Sequence, residues 1–302
     1  MTDLAPRPAL SPETTAILLM VVAMVLGPFM DLFAKLATEV VVPAQAGLGR
    51  FATQSLILLP VLALVREWGW PHRAHLLAGT CLAVAILTIN TALEVMPIAN
   101  ALAIFFVEPL ILTLLSALIL KERLGWRRLV AVALGLAGAM VVLRPNLTAY
   151  GWVAVLPLVT AFAFAGYMLV LRVMSPGGAR IALQFWTGAS ASLVLTLALL
   201  AGTAHGVESL SLAWPTPEVW GLFLAAGALA CICHQLIAQA LARAEAGLLA
   251  PLQYLEIISA VGIGWVIFGD FPDRLTWIGT LMIVASGIYV FQRKRHLAEE
   301  VG

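Results

Sequence analysis

The chain has 302 residues, 62% of them hydrophobic and 11% charged, with a formal net charge of +1. A soluble domain carries about 25% charged and about 45–50% apolar residues, so this composition and the mean hydropathy of +1.01 exclude a water-soluble fold. The near-zero charge gives no support to a nucleic-acid partner. Apolar stretches of about 20 residues recur along most of the length, the pattern of bilayer-spanning helices. A barrel strand would alternate over roughly 10 residues instead. The sequence predicts an all-α polytopic membrane protein.

Residues 1–14 read as a polar tail without a cleavable signal sequence, because positive charge is sparse and no small-residue cleavage site follows a short apolar core. Ten spans are expected, at 15–38, 43–65, 75–95, 97–120, 126–143, 150–171, 180–201, 217–241, 246–268 and 274–292. Span one contains Gly27-Pro28, which predicts a bend. Asp31 and Lys35 follow at i and i+4, on one helical face, with Arg50 of span two as a third partner. This group reads either as an outer gate or zwitterion site, or as an ion pair holding span one to span two. In span three, Asn90 and Glu94 share a face. Span four carries Glu108, roughly 15 Å from either end at about 1.5 Å per residue, and then Pro109, which removes a backbone donor. Ionisable groups inside a bilayer are costly and are functional candidates by default. Glu108 therefore reads as a cavity carboxylate that binds an ammonium group or carries a proton, against the alternative of a packed, neutralised side chain. In span five, Ala131, Gly135 and Gly138 form a small face for close helix contact.

The second half offers Trp186 in span seven, deeper than the tryptophans at span ends. His234 lies in span eight beside Gln235 and Gln239. Gln253, Tyr254, Glu256 and Trp265 lie in span nine. The amides could meet a substrate or act as interhelical glue, worth about 0.6 kcal/mol each. Glu256 has the same two readings as Glu108. Phe105, Phe106, Tyr167 and Tyr254 could form an aromatic wall for an apolar side chain, or simply pack. Cys81, Cys231 and Cys233 all lie in apolar runs and make neither a disulfide framework nor a metal set. No catalytic residue, metal ligand or cofactor is called for.

Two stretches share a plan. Residues 94–144 hold two apolar runs around Glu108 and a basic hinge, KERLGWRR. Residues 242–292 hold two more around Glu256, with GDFPDR at the hinge. Glu108 and Glu122 are separated by 14 positions, as are Glu256 and Asp270, so one offset of 148 maps both pairs. The expected domains are a first five-helix repeat at 15–143, a linker at 144–149, a second repeat at 150–292 and a tail at 293–302. Five spans is an odd number, so the second repeat would enter the membrane inverted. Transporters built this way place their site near the midplane between repeats. Lysine and arginine counts set the orientation: with the N-terminus cytoplasmic, 13 of the 17 basic residues fall on inner segments. Both termini are then cytoplasmic.

The Glu108-Pro109 pair, the closing LKERLGWRR, the small-residue run LGLAGAMVVL and the second copy GDFPDRLTWIGTLMIVASGIYV resemble the drug/metabolite transporter superfamily of EamA type. The sequence departs from the commonest pattern in having Asp270 in place of Glu and Ile257 in place of a proline. The resemblance implies ten helices in the bacterial inner membrane and export of small organic metabolites, amino acids above all. The YddG-like aromatic amino-acid exporters are the branch it points to. It also places span five away from the pore, at a possible dimer contact, so the assembly is a monomer or a homodimer with a small-molecule substrate and membrane lipid as partners. Competing readings are an uptake permease for another metabolite, an intramembrane enzyme and a channel. No Walker loop, H-E-x-x-H, G-x-S-x-G or selectivity-filter loop occurs.

Overall fold

A computed structural model describes residues 11–66, 68, 73–119, 126–174, 181–241, 243–244 and 249–299. Among these, all regular structure is helical. Residues 120–125, which include Lys121, Glu122 and Arg123 of the first hinge, lie outside the described residues, as do both ends of the chain.

Helix α1 spans Pro12–Ala37 and runs on through Pro28. Its start is set locally: Ser11 caps it by accepting the Thr14 amide at 3.1 Å, and Pro12 occupies the first turn. Helices α2 (Pro43–Val65) and α3 (Arg73–Leu93) complete the first three crossings. The fourth apolar run is broken in two, α4 (Ile98–Phe105) and α5 (Glu108–Ile119). Pro109 explains the break. It cannot donate to the carbonyl four residues back, and its ring crowds that carbonyl, which weakens the helix here; unlike α1 at Pro28, the run breaks and restarts with proline in the first turn of α5. Glu108 thereby becomes the first residue of α5.

Helix α6 runs Trp126–Tyr150, so residues 144–149, expected as a linker, are its last turns. A 3-10 turn at Gly151–Val155 leads into α7 (Leu156–Met174), followed by α8 (Ile181–Ala204) and α9 (Pro217–Leu241). The ninth run is also interrupted. A 3-10 segment at Ala250–Tyr254 gives way to α10 (Leu255–Ile263) and a π-helical turn at Gly264–Phe268. Helix α11, Arg274–Glu299, is capped by Asp273, which accepts from the amides of Leu275 at 2.7 Å and Thr276 at 2.9 Å.

Seven of the described helical segments are long and apolar enough to cross a bilayer, counting Leu129–Val170 as one of 42 residues. Leu252–Phe268 and Arg274–Tyr289 are shorter apolar helices. The chain is therefore an all-α polytopic membrane protein.

Packing between the halves follows a pattern of exchange. Helix α1 packs on α9, and α3 on α7; α3 packs on α8, and α2 on α9; α1 packs on α10, and α5 on α7. Helix α2 packs on α8 and α6 on α11. Glycines make the close approaches. A Cβ on Gly79 would lie 2.7 Å from the Ala191 nitrogen of α8, and one on Gly227 would lie 2.8 Å from the Gln54 nitrogen of α2. These two glycines are themselves 148 positions apart. The largest core cluster is centred on α3, α4 and α5, with Met96, Ile98, Ile104, Leu110 and Ile111 sealed from solvent.

Candidate substrate site

The two broken runs place a carboxylate at equivalent points. Glu108 opens α5, and Glu256 is the second residue of α10. Their surroundings differ. Glu108 is 8% exposed, and its Oε1 has no hydrogen-bond partner. The Glu108 carboxylate acts electrostatically on the buried Tyr254, whose hydroxyl is also unpartnered. Glu256 is enclosed by helices on all sides yet keeps an accessible surface. Its carboxylate lies against Gly27, where an added Cβ would sit 2.6 Å from Oε1.

Asp31, Arg50, Tyr167 and His234 share this character of being deep in the bundle and still partly accessible. By accessible surface these groups are half-buried. Arg50 acts electrostatically on Asp31, Tyr167, His234 and Glu256, and Asp31 acts on Glu256. Asp31 lies one turn beyond Gly27 on α1, so the two acids are stacked along one face of that helix, with the guanidinium supplied by α2. His234 Nδ1 meets Gln184 Nε2 at 2.9 Å. The α1–α10 contact is fixed by Ser259 Oγ, which donates to the Val25 carbonyl at 2.7 Å, in the turn that Pro28 disturbs.

An aromatic row runs from this group to Glu108. Ring centroids are 5.3 Å apart for Tyr167 and Phe164, 5.6 Å for Phe164 and Phe105, 5.8 Å for Phe105 and Phe106, and 5.7 Å for Phe106 and Tyr254. The first three residues are half-buried and the last two are buried. Phe106 and Tyr254 are 148 positions apart, so the two breaks meet through equivalent residues. Phe164 escaped the sequence reading, although it stands one turn from Tyr167.

Several sequence candidates lie elsewhere. Lys35 does not join Asp31: its Nζ donates to the Met96 carbonyl at 2.8 Å and lies over the Phe268 ring, 4.8 Å from its centroid. Helical spacing brings i and i+4 together, but a carbonyl from the α3–α4 connection wins the ammonium. Glu94, past the end of α3, is exposed and apart from the group. Asn90 is buried and donates to the Pro43 carbonyl at 3.2 Å, as interhelical glue does. Trp186 Nε1 donates to the Trp68 carbonyl at 2.9 Å, in the α2–α3 connection, which puts the indole near a helix end rather than in the interior. Gln253, in the 3-10 segment, is half-buried. Trp265 is 63% exposed. A groove of about 310 Å³ between α1 and α9, lined by Leu26, Phe29, Ala228 and Ile232, is apolar and distinct from the charged group. Among the described residues no cluster of His, Cys, Asp or Glu could hold a metal ion.

Residues 14–144 and 151–292 each match the EamA-like transporter family. This chain belongs to that family. Among curated relatives, the riboflavin transporter of Rhizobium johnstonii is 26% identical over 83% of this chain and 82% of its own. The S-adenosylmethionine uptake transporter of Rickettsia bellii is 23% identical over 83% and 85%. The pseudopaline exporter CntI of Pseudomonas aeruginosa is 27% identical over 68% and 69%. A solved crystal structure aligns with a TM-score of 0.63 over 94% of this chain and 99% of that one, at 18% identity; it shares the fold. The EamA chain described here is thus a membrane transporter and not an enzyme. Of the three relatives, none is named for amino-acid export or for the YddG-like branch.

Proposed function

We propose that this EamA-family protein is a secondary transporter of the bacterial inner membrane that moves small amine-bearing metabolites, aromatic and other apolar amino acids among them, by alternating access. The observation that carries this reading is the group of Asp31, Arg50 and Glu256, deep in the bundle yet accessible, beside the aromatic row that begins at Tyr167. Two carboxylates against one guanidinium favour a cationic group on the solute. The ring faces offer cation–π and apolar surface to the rest of it. Relatives named for riboflavin, S-adenosylmethionine and pseudopaline support a small organic solute.

The architecture we read is ten crossings in two oppositely inserted halves. The 42-residue apolar stretch is about 63 Å long at about 1.5 Å per residue, twice a hydrocarbon core of about 30 Å, and it changes helix type at Gly151–Val155. Counted twice, and with the two shorter apolar helices added, it brings the seven candidates to ten. The exchange pattern of helix contacts and the offset of 148 shared by both carboxylates, by Phe106 and Tyr254, and by Gly79 and Gly227 support the repeat. The distribution of lysine and arginine supports cytoplasmic termini.

A second reading, transport of an uncharged ring-bearing solute, is favoured by the similarity to riboflavin transporters. Counterflow in proteoliposomes separates the two. Vesicles preloaded with L-phenylalanine, other apolar amino acids or their amines should accelerate entry of the same labelled solute. Acceleration by riboflavin alone selects the second reading. Flux with no acceleration from the opposite side rejects a carrier.

A further inference from the structure

Among the described residues, Arg50 is an interior cation whose Nε has no hydrogen-bond partner. Lys35 donates a hydrogen bond to the Met96 carbonyl, and the His234 ring meets Gln184. The Arg50 Nε reaches no acceptor, and no hydrogen bond or ion pair joins it to Asp31 or Glu256, although both act on it electrostatically. An arginine remains charged in a protein and offers five donors in a planar fork. Leaving that fork deep and unused is costly unless something else supplies the acceptors.

The surroundings hold the fork open. The guanidinium carbon lies 5.5 Å from the Phe51 ring centroid, against its own helix. Glu256 is drawn toward α1 because Gly27 has no side chain, and Asp31 stands one turn further along the same face. The acids therefore lie along α1, and the guanidinium is carried by α2. Closed salt bridges would consume all three charges; here they remain available to a ligand. A carboxylate matches the guanidinium fork in shape and charge, and an ammonium group matches the paired acids.

We propose that Arg50 receives the carboxylate of the transported solute while Asp31 and Glu256 receive its ammonium group, so that the site selects a zwitterionic amino-acid headgroup over a simple amine. This rests on the reading above of an amine-carrying transporter and narrows it. Arg50 is then the residue that sets headgroup specificity, and the row from Tyr167 through Phe164 to Phe105 faces the side chain.

The test is binding to the detergent-solubilised full chain by calorimetry, using apolar L-amino acids and their carboxamides, which keep the amine and lose the carboxylate charge. The wild type should prefer the acid over the amide at least tenfold. Arg50→Met should erase that preference by weakening the acid while leaving the amide within about twofold; Arg50→Lys should retain part of it. Equal wild-type affinity for acid and amide overturns the inference, as does equal loss of both ligands in Arg50→Met. If Arg50→Met does not fold, the wild-type comparison and Arg50→Lys still decide. If the wild type binds neither ligand, the headgroup assignment is wrong. Counterflow with amines that lack a carboxylate then tells whether the transporter reading survives without it.

Discussion

Gly27 sets the position of a charge by lacking a methyl group. An added Cβ would meet Glu256 Oε1 at 2.6 Å and the carboxyl carbon at 3.2 Å. What it meets is the far end of a flexible side chain, so the carboxylate can swing aside and the helix need not move. Gly27→Ala should therefore leave the melting temperature within a few degrees of wild type, helped by alanine's better helix propensity of about 1 kcal/mol. It should still lower affinity for an amine-bearing solute about tenfold by moving the acid off α1. Calorimetry and a thermal melt on the same sample check both halves; unchanged affinity would detach Glu256 from the site. Tyr254→Phe tests the opposite case. The hydroxyl is buried without a partner, so removing it deletes an unmade hydrogen bond worth about 1–3 kcal/mol when left unsatisfied. The variant should melt at the same temperature as the parent or higher. A clear loss of stability would mean that the hydroxyl has a partner, Glu108 being the nearest candidate.

At the scale of elements, what the sequence made legible depended on whether the cause was local. Span limits were readable because apolar length is a property of the segment itself: the expected 43–65 and 217–241 coincide with α2 and α9. The break before Glu108 was signalled by Pro109. The break before Glu256 was not, because Ile257 stands where a second proline would be and the chain uses a 3-10 segment instead. Partners brought from far along the chain were invisible, as with Lys35 and the Met96 carbonyl, 61 residues away. The glycine face of α6 was read as a surface for close helix contact, and Gly138 and Gly279 do bring α6 and α11 together, although the partner helix was not named from the sequence; a Cβ on Gly138 would lie 2.9 Å from the Gly279 carbonyl and 2.8 Å from the Met282 Cβ. Those atoms belong to the helix body and cannot swing away. Gly138→Ala should thus cost about 1–3 kcal/mol as overpacking, seen as a lower melting temperature. Solute affinity should be unaffected, since the seam is remote from the charged group. A drop in affinity without a drop in stability would place this seam in the transport path.

For the whole molecule the two glutamates pose a question that neither residue answers alone. They occupy the same offset in the two halves, beside Phe106 and Tyr254, which touch across the breaks. Yet Glu256 is half-buried and Glu108 is buried. On the proposed architecture of two similar, oppositely inserted halves, such an asymmetry is what the molecule should display while open to one side only. Exchanging the conformations of the halves would open it to the other side, exposing Glu108 and sealing Glu256. Alternating access in this form makes a sided prediction. In proteoliposomes with the protein inserted one way, Glu256→Gln should raise the half-saturating solute concentration at one membrane face by about tenfold and change the other face little. Glu108→Gln should do the reverse. The amide keeps the shape of the acid and removes its charge, so both variants should fold. Initial rates measured with solute on one side and then the other supply the comparison. If both variants weaken the same face, the two carboxylates belong to one fixed site and the halves do not trade roles.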